Sequence, residues 1–270
     1  MEVKTQNKAK PFLRWAGGKR WLVDELIKII PADIKNYYEP FLGAGSLYFN
    51  IDVNKAYLSD INSDLILTYK MIKKDYKQVL YHLNNFKNSK KNYYIVREKE
   101  FKNEFKKAAR FIYLNKTCWN GLYRENSSGK FNVPYGNKKH TEIFNEENLE
   151  AVNLKLKNAH LYDYDFEYAL RNCEEGDLIY LDPPYTVAHQ NNGFIKYNSK
   201  IFSWSDQKRL SKLMKSLNDK GCYLILSNAS HESILLLYDG FNFINITRHS
   251  IIGAKSDSRK KIKEYLITNF

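Results

Sequence analysis

Residues 177–185, DLIYLDPPY, join a short run of large apolar side chains to an acid, two prolines and an aromatic ring. The apolar run, Leu178–Leu181, has the composition typical of a strand that is buried on both faces of a parallel sheet. The prolines lack a backbone N–H and therefore end the strand. Because ligands of open α/β sheets bind at the carboxyl ends of the strands, Asp182 is expected to lie at a binding cleft.

Strand-like segments and helical patterns alternate on both sides of this stretch. Further segments are apolar or aromatic and predict strands at 37–41, 56–58 and 221–226. The spacing of apolar residues predicts helices at 22–30, 65–72 and 207–217. This alternation predicts an α/β fold in which a Rossmann-like sheet is flanked by helices.

The middle of the chain, residues 62–148, interrupts the alternation. It contains helices rich in Lys, Tyr and Asn, followed by a polar loop at 117–139. Within the loop, strand-like segments flank a turn at 127–129, which predicts a short β-hairpin. We therefore expect one α/β domain built from residues 1–61 and 149–270, and an inserted domain of helices and a hairpin at 62–148.

The composition favours an acidic partner. Lys and Arg number 43 and Asp and Glu 30, so the net charge is +13 and the pI is near 9.3. Such an excess favours nucleic acid, although some proteins are basic without binding it. The three cysteines and six histidines form no metal-binding or disulfide spacing, which predicts a protein without metal. The polar N-terminal residues and the lack of a long apolar run predict a cytoplasmic protein outside the membrane.

A glycine-rich turn, EPFLGAGS at 39–46, follows the first predicted strand. Gly43 and Gly45 permit a sharp turn and a close approach of the backbone to a ligand. Asp60 follows the second predicted strand, where a carboxylate can accept both hydroxyls of a ribose. The turn and the acid together predict a nucleoside-bearing cofactor, while the turn alone would also suit an ordinary strand-to-helix connection.

The DPPY segment suits the activation of an amino group. Asp182 and the carbonyl of Pro183 can form a pair of acceptors for one planar amine, and Tyr185 offers a face on which a base can stack. An exocyclic amine is a poor nucleophile that gains positive charge as it attacks an electrophilic methyl group, and acceptors placed in advance stabilise that charge. The structural alternative is a proline turn capped by Asp182 and packed by Tyr185.

Five motifs occur in the order seen in Dam-type DNA adenine N6-methyltransferases, which recognise GATC. They are FLRWAGGK at 12–19, EPFLGAGS at 39–46, NGLYR at 120–124, FNVPYG at 131–136 and DPPY at 182–185. The chain is therefore similar to this family over nearly its whole length. The resemblance implies transfer of the methyl group of S-adenosylmethionine to adenine N6 without a metal, and flipping of the adenine out of double-stranded DNA. It also implies that the insert at 62–148 is the target-recognition domain.

The resemblance assigns catalytic and cofactor-binding residues motif by motif. The catalytic residues would be Asp182, Pro183, Pro184 and Tyr185. S-adenosylmethionine would be held by Trp15, Ala16, Gly17, Lys19, Phe41, Gly43, Ala44, Gly45, Asp60, Asp165 and Phe166. Residues 194–197 resemble the segment that folds over the active site in this family.

The resemblance also assigns DNA contacts. Arg14 would lie near the first guanine, and Arg124 would read the guanine opposite the final cytosine with two hydrogen bonds. Leu122 and Pro134 would contact the thymine methyl group. Trp119 would wedge into the duplex, and Asn120 would lie near the space left by the flipped adenine. The tail GAKSDSRKKI at 253–262 is also similar to this family, and three of its basic residues would contact phosphates: Arg259, Lys260 and Lys261.

Two alternatives to an adenine methyltransferase remain open at the level of sequence. Cytosine N4 and other planar amines require the same kind of acid and aromatic site, although the insert motifs argue against them. A DNA-binding relative without catalysis would keep the fold, but it would have no use for Asp182, Asp60 and the glycines. A monomer is the expected state, with a companion restriction endonuclease as an open further partner.

Overall fold

The structure is a computed structural model that describes residues 8–126, 128–137, 142–187, 202–249 and 261–270. The contacts of the chain divide it into two compact units. The first unit comprises Met1–Ile30 and Leu42–Tyr164, and the second comprises Pro31–Phe41 and Asp165–Phe270. The prediction that residues 62–148 form a target-recognition domain concerns DNA binding and stays a prediction.

Over these described ranges the sheet has seven strands. They are β1 (Tyr37–Glu39), β2 (Ala56–Ser59), β3 (Ala159–Tyr162), β4 (Leu178–Leu181), β5 (Tyr223–Ala229), β6 (Asn242–His249) and β7 (Lys261–Thr268). Their order is β3-β2-β1-β4-β5-β7-β6. The pairs β2–β3, β1–β4 and β4–β5 are parallel, whereas β7 is antiparallel to both β5 and β6. The predicted α/β fold with a Rossmann-like sheet is confirmed.

The helices of the first unit are α1 (Val23–Ile29), α2 (Ser63–Asn84), α3 (Lys90–Glu98), α4 (Glu104–Thr117) and α5 (Glu146–Leu156). Asparagine side chains begin three of them, since Asn62 accepts from the N–H of Leu65, Asn103 from that of Lys106 and Asn145 from that of Asn148. The helix predicted at 65–72 is part of the longer α2, which contains a non-helical residue at Asp75. Helices α2 and α4 pack against each other through their buried apolar faces.

The helices of the second unit are α6 (Phe166–Ala169), α7 (Trp204–Asp219) and α8 (Glu232–Leu237). Ser203 and Asp206 form a reciprocal capping box at the start of α7. All four residues of β4 are buried, as its apolar sequence predicts. Strand β6 was not predicted, because its sequence NFINITRH alternates with polar residues and lacks the apolar run of a central strand.

The predicted hairpin is present as two isolated antiparallel bridges, Cys118 with Tyr135 and Glu125 with Phe131. Near its tip the N–H of Asn126 donates to the carbonyl of Lys130 over 2.9 Å. The hairpin therefore places the NGLYR and FNVPYG motifs side by side.

Candidate active site

The glycine turn of the first unit is fixed by backbone hydrogen bonds. Leu42 N–H donates to the Ser59 carbonyl at the end of β2 over 2.9 Å, and Gly45 N–H donates to the Leu42 carbonyl over 2.7 Å. Gly43 and Gly45 have φ values of +47° and +65°, a region that residues with a Cβ adopt only with strain. The buried hydroxyl of Tyr69 on α2 donates to the Gly43 carbonyl over 3.0 Å. The turn is thus held in one conformation from two sides.

Asp60 fastens the same turn to the end of β2. One carboxylate oxygen accepts the N–H of Gly43 and the other accepts the N–H of Asn62, each over 3.0 Å. Burial raises the pKa of Asp60 above its usual value of 3.8, and the two N–H groups oppose this shift. Each carboxylate oxygen can still accept a second hydrogen bond, such as one from a ribose hydroxyl.

Trp15 of the N-terminal motif packs directly on the glycine turn. A Cβ atom added at Gly43 would lie 2.7 Å from Cδ1 of Trp15, which is too close for any ordinary contact. The indole is itself stacked on Tyr123, with ring centres 5.5 Å apart. In the same motif Ala16 and Gly17 are exposed and Lys19 is buried, while Ala44 in the turn is buried. The structure therefore brings Trp15 together with the glycine turn and Asp60.

The remaining predicted cofactor residues lie in the second unit. Phe41 packs against Phe166 with ring centres 5.6 Å apart. Asp165 begins α6 by accepting the N–H of Glu167 and also accepts a 2.9 Å bond from Arg209. Both bonds give Asp165 a structural task, so its predicted contact with the cofactor adenine stays a prediction.

The DPPY turn follows β4 and is anchored by its aromatic residue. Asp182 directly follows the last residue of the strand, and Pro183 is buried. The hydroxyl of Tyr185 donates to Oε2 of Glu264 on β7 over 2.7 Å. Burial, together with the charges of Asp182 and Glu264, raises the pKa of Tyr185 well above its usual value of 10.0. The phenol therefore keeps its proton and acts as a hydrogen-bond donor.

Glu264 is a site residue that the sequence interpretation missed. It is only 2% exposed and lies opposite Ala229 in the antiparallel pairing of β5 and β7. Buried carboxylates are costly unless they are hydrogen-bonded, and the signal available in the sequence was an acid directly before the run YLI in KIKEYLIT. The partner of Glu264 can be located only when the pairing of the strands is known, and the sequence pattern does not give that pairing.

Further polar residues lie on the same face of the sheet as Glu264. Tyr37 donates to Glu39 over 2.9 Å within β1, and the hydroxyls of Tyr180 on β4 and Ser227 on β5 are 3.1 Å apart. The pKa of Tyr180 is raised well above 10.0, mainly by burial and then by the charge of Asp182, with Glu39 and Glu264 adding to the shift. Two buried acids, Glu39 and Glu264, therefore lie close enough to the buried hydroxyl of Tyr180 to affect its pKa.

The predicted DNA-contacting residues of the first unit are ordered by the fold. Buried Asn115 on α4 accepts the N–H of Arg14 over 2.8 Å and donates to its carbonyl over 2.7 Å. A Cβ at Gly121 would lie 2.6 Å from two carbons of the Arg14 side chain. The hairpin loop and the N-terminal motif are therefore in direct contact around Arg14.

Trp119 and its neighbours lie at the base of the hairpin. Trp119 is 55% exposed, although its N–H is held by a 2.9 Å bond to the carbonyl of Pro134. Asn120 adopts a left-handed conformation with φ of 54°. Leu122 is partly buried, and Arg124 is exposed. An exposed indole on an ordered backbone has the form that a wedge residue requires, but the wedge itself stays a prediction.

Several predictions lie outside the described residues or concern absences. The segment 194–197 and the basic residues Arg259 and Lys260 lie outside them, and Lys261 is described only as the first residue of β7. Within the described ranges, no group of three or more His, Cys, Asp or Glu side chains is placed to hold a metal ion. No helix in those ranges is both long and apolar enough to cross a membrane.

Comparison with known proteins supports the DNA adenine N6-methyltransferase activity that the sequence motifs imply. Residues 15–251 match the family model of the D12 class N6 adenine-specific DNA methyltransferases. The chain is 38% identical to type II methyltransferase M.MjaIII of Methanocaldococcus jannaschii, with 97% of this chain and 99% of that protein aligned. It is 37% identical to type II methyltransferase M1.LlaDCHI of Lactococcus lactis subsp. cremoris, over 97% of this chain and 95% of that protein.

A further relative carries the name DNA adenine methylase. The protein of Escherichia coli strain K12 is 32% identical, with 96% of this chain and 95% of that protein aligned. The predicted enzyme class and the predicted family are thereby confirmed. Since the family model spans most of the sequence and these relatives align over nearly their full length, the chain belongs to the D12 class N6 adenine-specific DNA methyltransferases.

Proposed function

We propose that this methyltransferase modifies adenine N6 within GATC in double-stranded DNA, after flipping the adenine out of the duplex, and that S-adenosylmethionine is its methyl donor. The observation that carries the catalytic part is the turn that follows β4. It begins with Asp182, continues through the buried Pro183 and ends on Tyr185, whose hydroxyl is bonded to Glu264. The recognition of GATC and the flipping of the base rest on the resemblance of the insert motifs.

The residues around the glycine turn fit a cofactor with a nucleoside and an amino-acid end. Gly43 and Gly45 have positive φ angles, which favour glycine, so no side chain projects from these two positions of the turn. Asp60 supplies a carboxylate beside the turn. The residues proposed to hold S-adenosylmethionine are Trp15, Ala16, Gly17, Lys19, Phe41, Gly43, Ala44, Gly45, Asp60, Asp165 and Phe166. When bound, the cofactor supplies an electrophilic methyl group on a sulfonium.

The DPPY residues act on the amino group of the flipped adenine. Asp182 and the carbonyl of Pro183 accept its two hydrogens, which stabilises the positive charge that N6 gains during methylation. Pro183 and Pro184 stiffen the turn, because their φ angles are fixed. Tyr185 stacks on the base. Together these residues place the acceptors before the reaction, so little reorganisation is needed as charge develops.

The insert residues read the DNA sequence and open the duplex. Arg14 and Arg124 recognise the outer guanines, while Leu122 and Pro134 contact the thymine methyl group. Trp119 enters the space between bases, with Asn120 beside it. The net charge of +13 favours a tight initial complex with phosphates that weakens as salt is raised. We propose that the enzyme acts as a cytoplasmic monomer.

The proposal is tested by transfer of labelled methyl from S-adenosylmethionine to two duplexes, one containing GATC and one with those bases scrambled. Label on the GATC duplex alone, recovered as N6-methyladenine after digestion and lost in Asp182→Ala, is the expected result. Label on both duplexes would overturn GATC recognition. Label in Asp182→Ala at the wild-type rate would overturn the catalytic assignment.

A further inference from the structure

The hydrogen bond between Tyr185 and Glu264 joins the DPPY turn to a strand that is distant in sequence. Oε2 of Glu264 lies 2.7 Å from the Tyr185 hydroxyl, and the two residues are 79 positions apart. Glu264 belongs to β7, which is paired on both sides, with β5 and with β6. Its backbone is therefore among the best-fixed parts of the second unit, and the carboxylate offers an immobile acceptor.

The two ends of the Tyr185 side chain are fixed by different elements. The Cα end follows two prolines, which restrict the backbone of the turn. The hydroxyl end is bonded to Glu264. A tyrosine ring held only at Cβ can rotate and tilt, whereas a ring bonded at the para position keeps one plane. The face offered to a base is therefore set by Glu264 as well as by the turn.

Glu264 is also suited to this task by its burial. Its side chain is 2% exposed, so water competes little for the carboxylate and the bond to the phenol is strengthened by the low local polarity. The raised pKa of Tyr185 keeps the donating proton on the phenol. The bond is therefore present whenever the folded protein is near neutral pH.

We propose that Glu264 is a positioning residue for methyl transfer, which fixes the ring plane of Tyr185 against the target base. The inference rests on the proposed stacking role of Tyr185. It assigns to Glu264 an effect on the rate of the chemical step and little effect on DNA affinity, because affinity comes mainly from phosphate contacts. The effect depends on hydrogen-bond acceptance and does not require the negative charge.

The test uses Glu264→Leu, Glu264→Gln, Tyr185→Phe and the double variant Tyr185→Phe with Glu264→Leu. Kinetics with the GATC duplex give kcat and KM for each. Since small misplacements of reacting groups cost about 100-fold in rate, we expect Glu264→Leu to lower kcat by roughly 10- to 100-fold with KM for DNA nearly unchanged. Glu264→Gln retains an acceptor oxygen and should stay within about threefold of wild type.

Double-variant kinetics separate positioning from other roles. If Glu264 acts through the Tyr185 hydroxyl, the Tyr185→Phe and Glu264→Leu losses are similar and the double variant loses no more than either single one. A kcat for Glu264→Leu equal to that of wild type would overturn the proposal. A Glu264→Gln variant as slow as Glu264→Leu would also overturn it, since the charge and not the hydrogen bond would then be responsible.

A matched control tests for a general effect of losing a buried phenol contact. Tyr238 is fully buried and its hydroxyl accepts a 2.6 Å bond from Gln207 at a position outside the proposed site. Tyr238→Phe should lower thermal stability while keeping kcat near wild type. A loss of kcat in Tyr238→Phe as large as that in Tyr185→Phe would overturn the proposal, because any weakened core would then slow the enzyme.

A spectroscopic measurement tests the bond without relying on activity. The hydroxyl proton of Tyr185 should give a slowly exchanging, downfield NMR signal in wild type and in Glu264→Gln, and the signal should be lost in Tyr185→Phe and in Glu264→Leu. Wild-type protein that methylates no duplex would refute the proposed function. In that case the NMR signal still tests Glu264 by itself. Absence of the hydroxyl signal in wild type would overturn the role of Glu264. Its presence, with the expected pattern in the variants, would support the positioning of Tyr185 by Glu264.

Discussion

Nε of Arg124 donates a 2.8 Å hydrogen bond to Oδ1 of Asn132, across the hairpin that carries the two insert motifs. The backbone joins the same two residues, since Asn132 N–H donates to the Arg124 carbonyl over 3.0 Å. Among the described residues, the Nη groups of Arg124 have no hydrogen-bond or ion-pair partner. Asn132 thus occupies one edge of the guanidinium and leaves the edge that can bind O6 and N7 of a guanine.

On the proposal that Arg124 reads the final base pair of GATC, replacing Asn132 with Ala should weaken that reading. The lost bond is worth about 0.5–1.5 kcal/mol, so discrimination against a duplex with that pair exchanged should fall roughly 2- to 10-fold. Arg124→Ala should cost more, about 1–3 kcal/mol of discrimination. The ratio of kcat/KM for the two duplexes measures both effects. Arg124→Ala with full discrimination would show that another residue reads this pair.

Replacing Gly43 with Ala should weaken the binding of S-adenosylmethionine. The new Cβ would collide with Trp15, and the positive φ adds about 1–2 kcal/mol of strain. Gly240→Ala is the matched control, because Gly240 has φ of +92° with no atom within 4 Å of an added Cβ. Titration calorimetry should show weaker cofactor binding for Gly43→Ala and unchanged binding for Gly240→Ala. Equal binding by both variants would contradict a role for the turn in holding the cofactor.

Replacing Asp60 with Asn should reduce cofactor affinity by about 10- to 100-fold, since hydrogen bonds to charged groups are worth about 1.5–3 kcal/mol. An amide group would also turn one N–H toward a backbone donor, Gly43 or Asn62, and loosen the turn. Because burial raises the pKa of Asp60, affinity in wild type should begin to fall on acidification at a higher pH than an exposed aspartate would give. Asp163→Asn, at an exposed residue paired with Lys70, serves as the control and should bind normally.

Lys116 should make stability rise with pH under alkaline conditions. Burial and the nearby charges of Arg14 and Arg20 lower the pKa of Lys116 from 10.5 to about 8, while Glu142 opposes the shift. Below about pH 8, Lys116 is charged in both the folded and the unfolded state. Folding then carries the full free-energy cost of burying that charge. Between about 8 and 10.5 the folded state releases the proton before the unfolded state does, so the free energy of unfolding increases.

The measurement for Lys116 is denaturant unfolding of wild type and Lys116→Met between pH 7 and pH 10.5. The rise in wild type relative to the variant should occupy the window between about 8 and 10.5. Lys208, exposed on α7, provides Lys208→Met as a control for the replacement of a surface lysine. A constant difference between wild type and Lys116→Met across this range would show that Lys116 titrates normally.

The sequence predicted the parts of the fold and site that depend on local pattern. Strand β4 is a continuous apolar run ended by prolines, and its bounds were predicted without error. The turn at 39–46 could be predicted from Gly43 and Gly45. Their positive φ angles in the structure explain why glycine stands at both positions. The pattern also predicted the hairpin, since its strand-like segments adjoin one turn.

What the sequence did not predict depends on contacts between distant segments. Glu264 meets Tyr185 only because β7 pairs with β5, and no periodicity links positions that far apart. In the sequence, Asn115 is an ordinary polar residue of a helix. Only the fold shows that its side chain makes two hydrogen bonds with the backbone of Arg14. The bonds of Asp165 to Glu167 and Arg209 were likewise invisible to motif comparison.

The position of β7 in the sheet has a consequence for synthesis in the cell. Strands β5 and β6 leave the ribosome before β7, the strand that separates them in the finished sheet. During this interval their edges must stay apart, because pairing between them would exclude the later strand and trap a misfolded chain. The DPPY turn, translated some eighty residues earlier, has no anchor for its ring until Glu264 emerges. The hydrogen bond that holds the Tyr185 ring can therefore form only after β7 has been synthesised and has paired with β5.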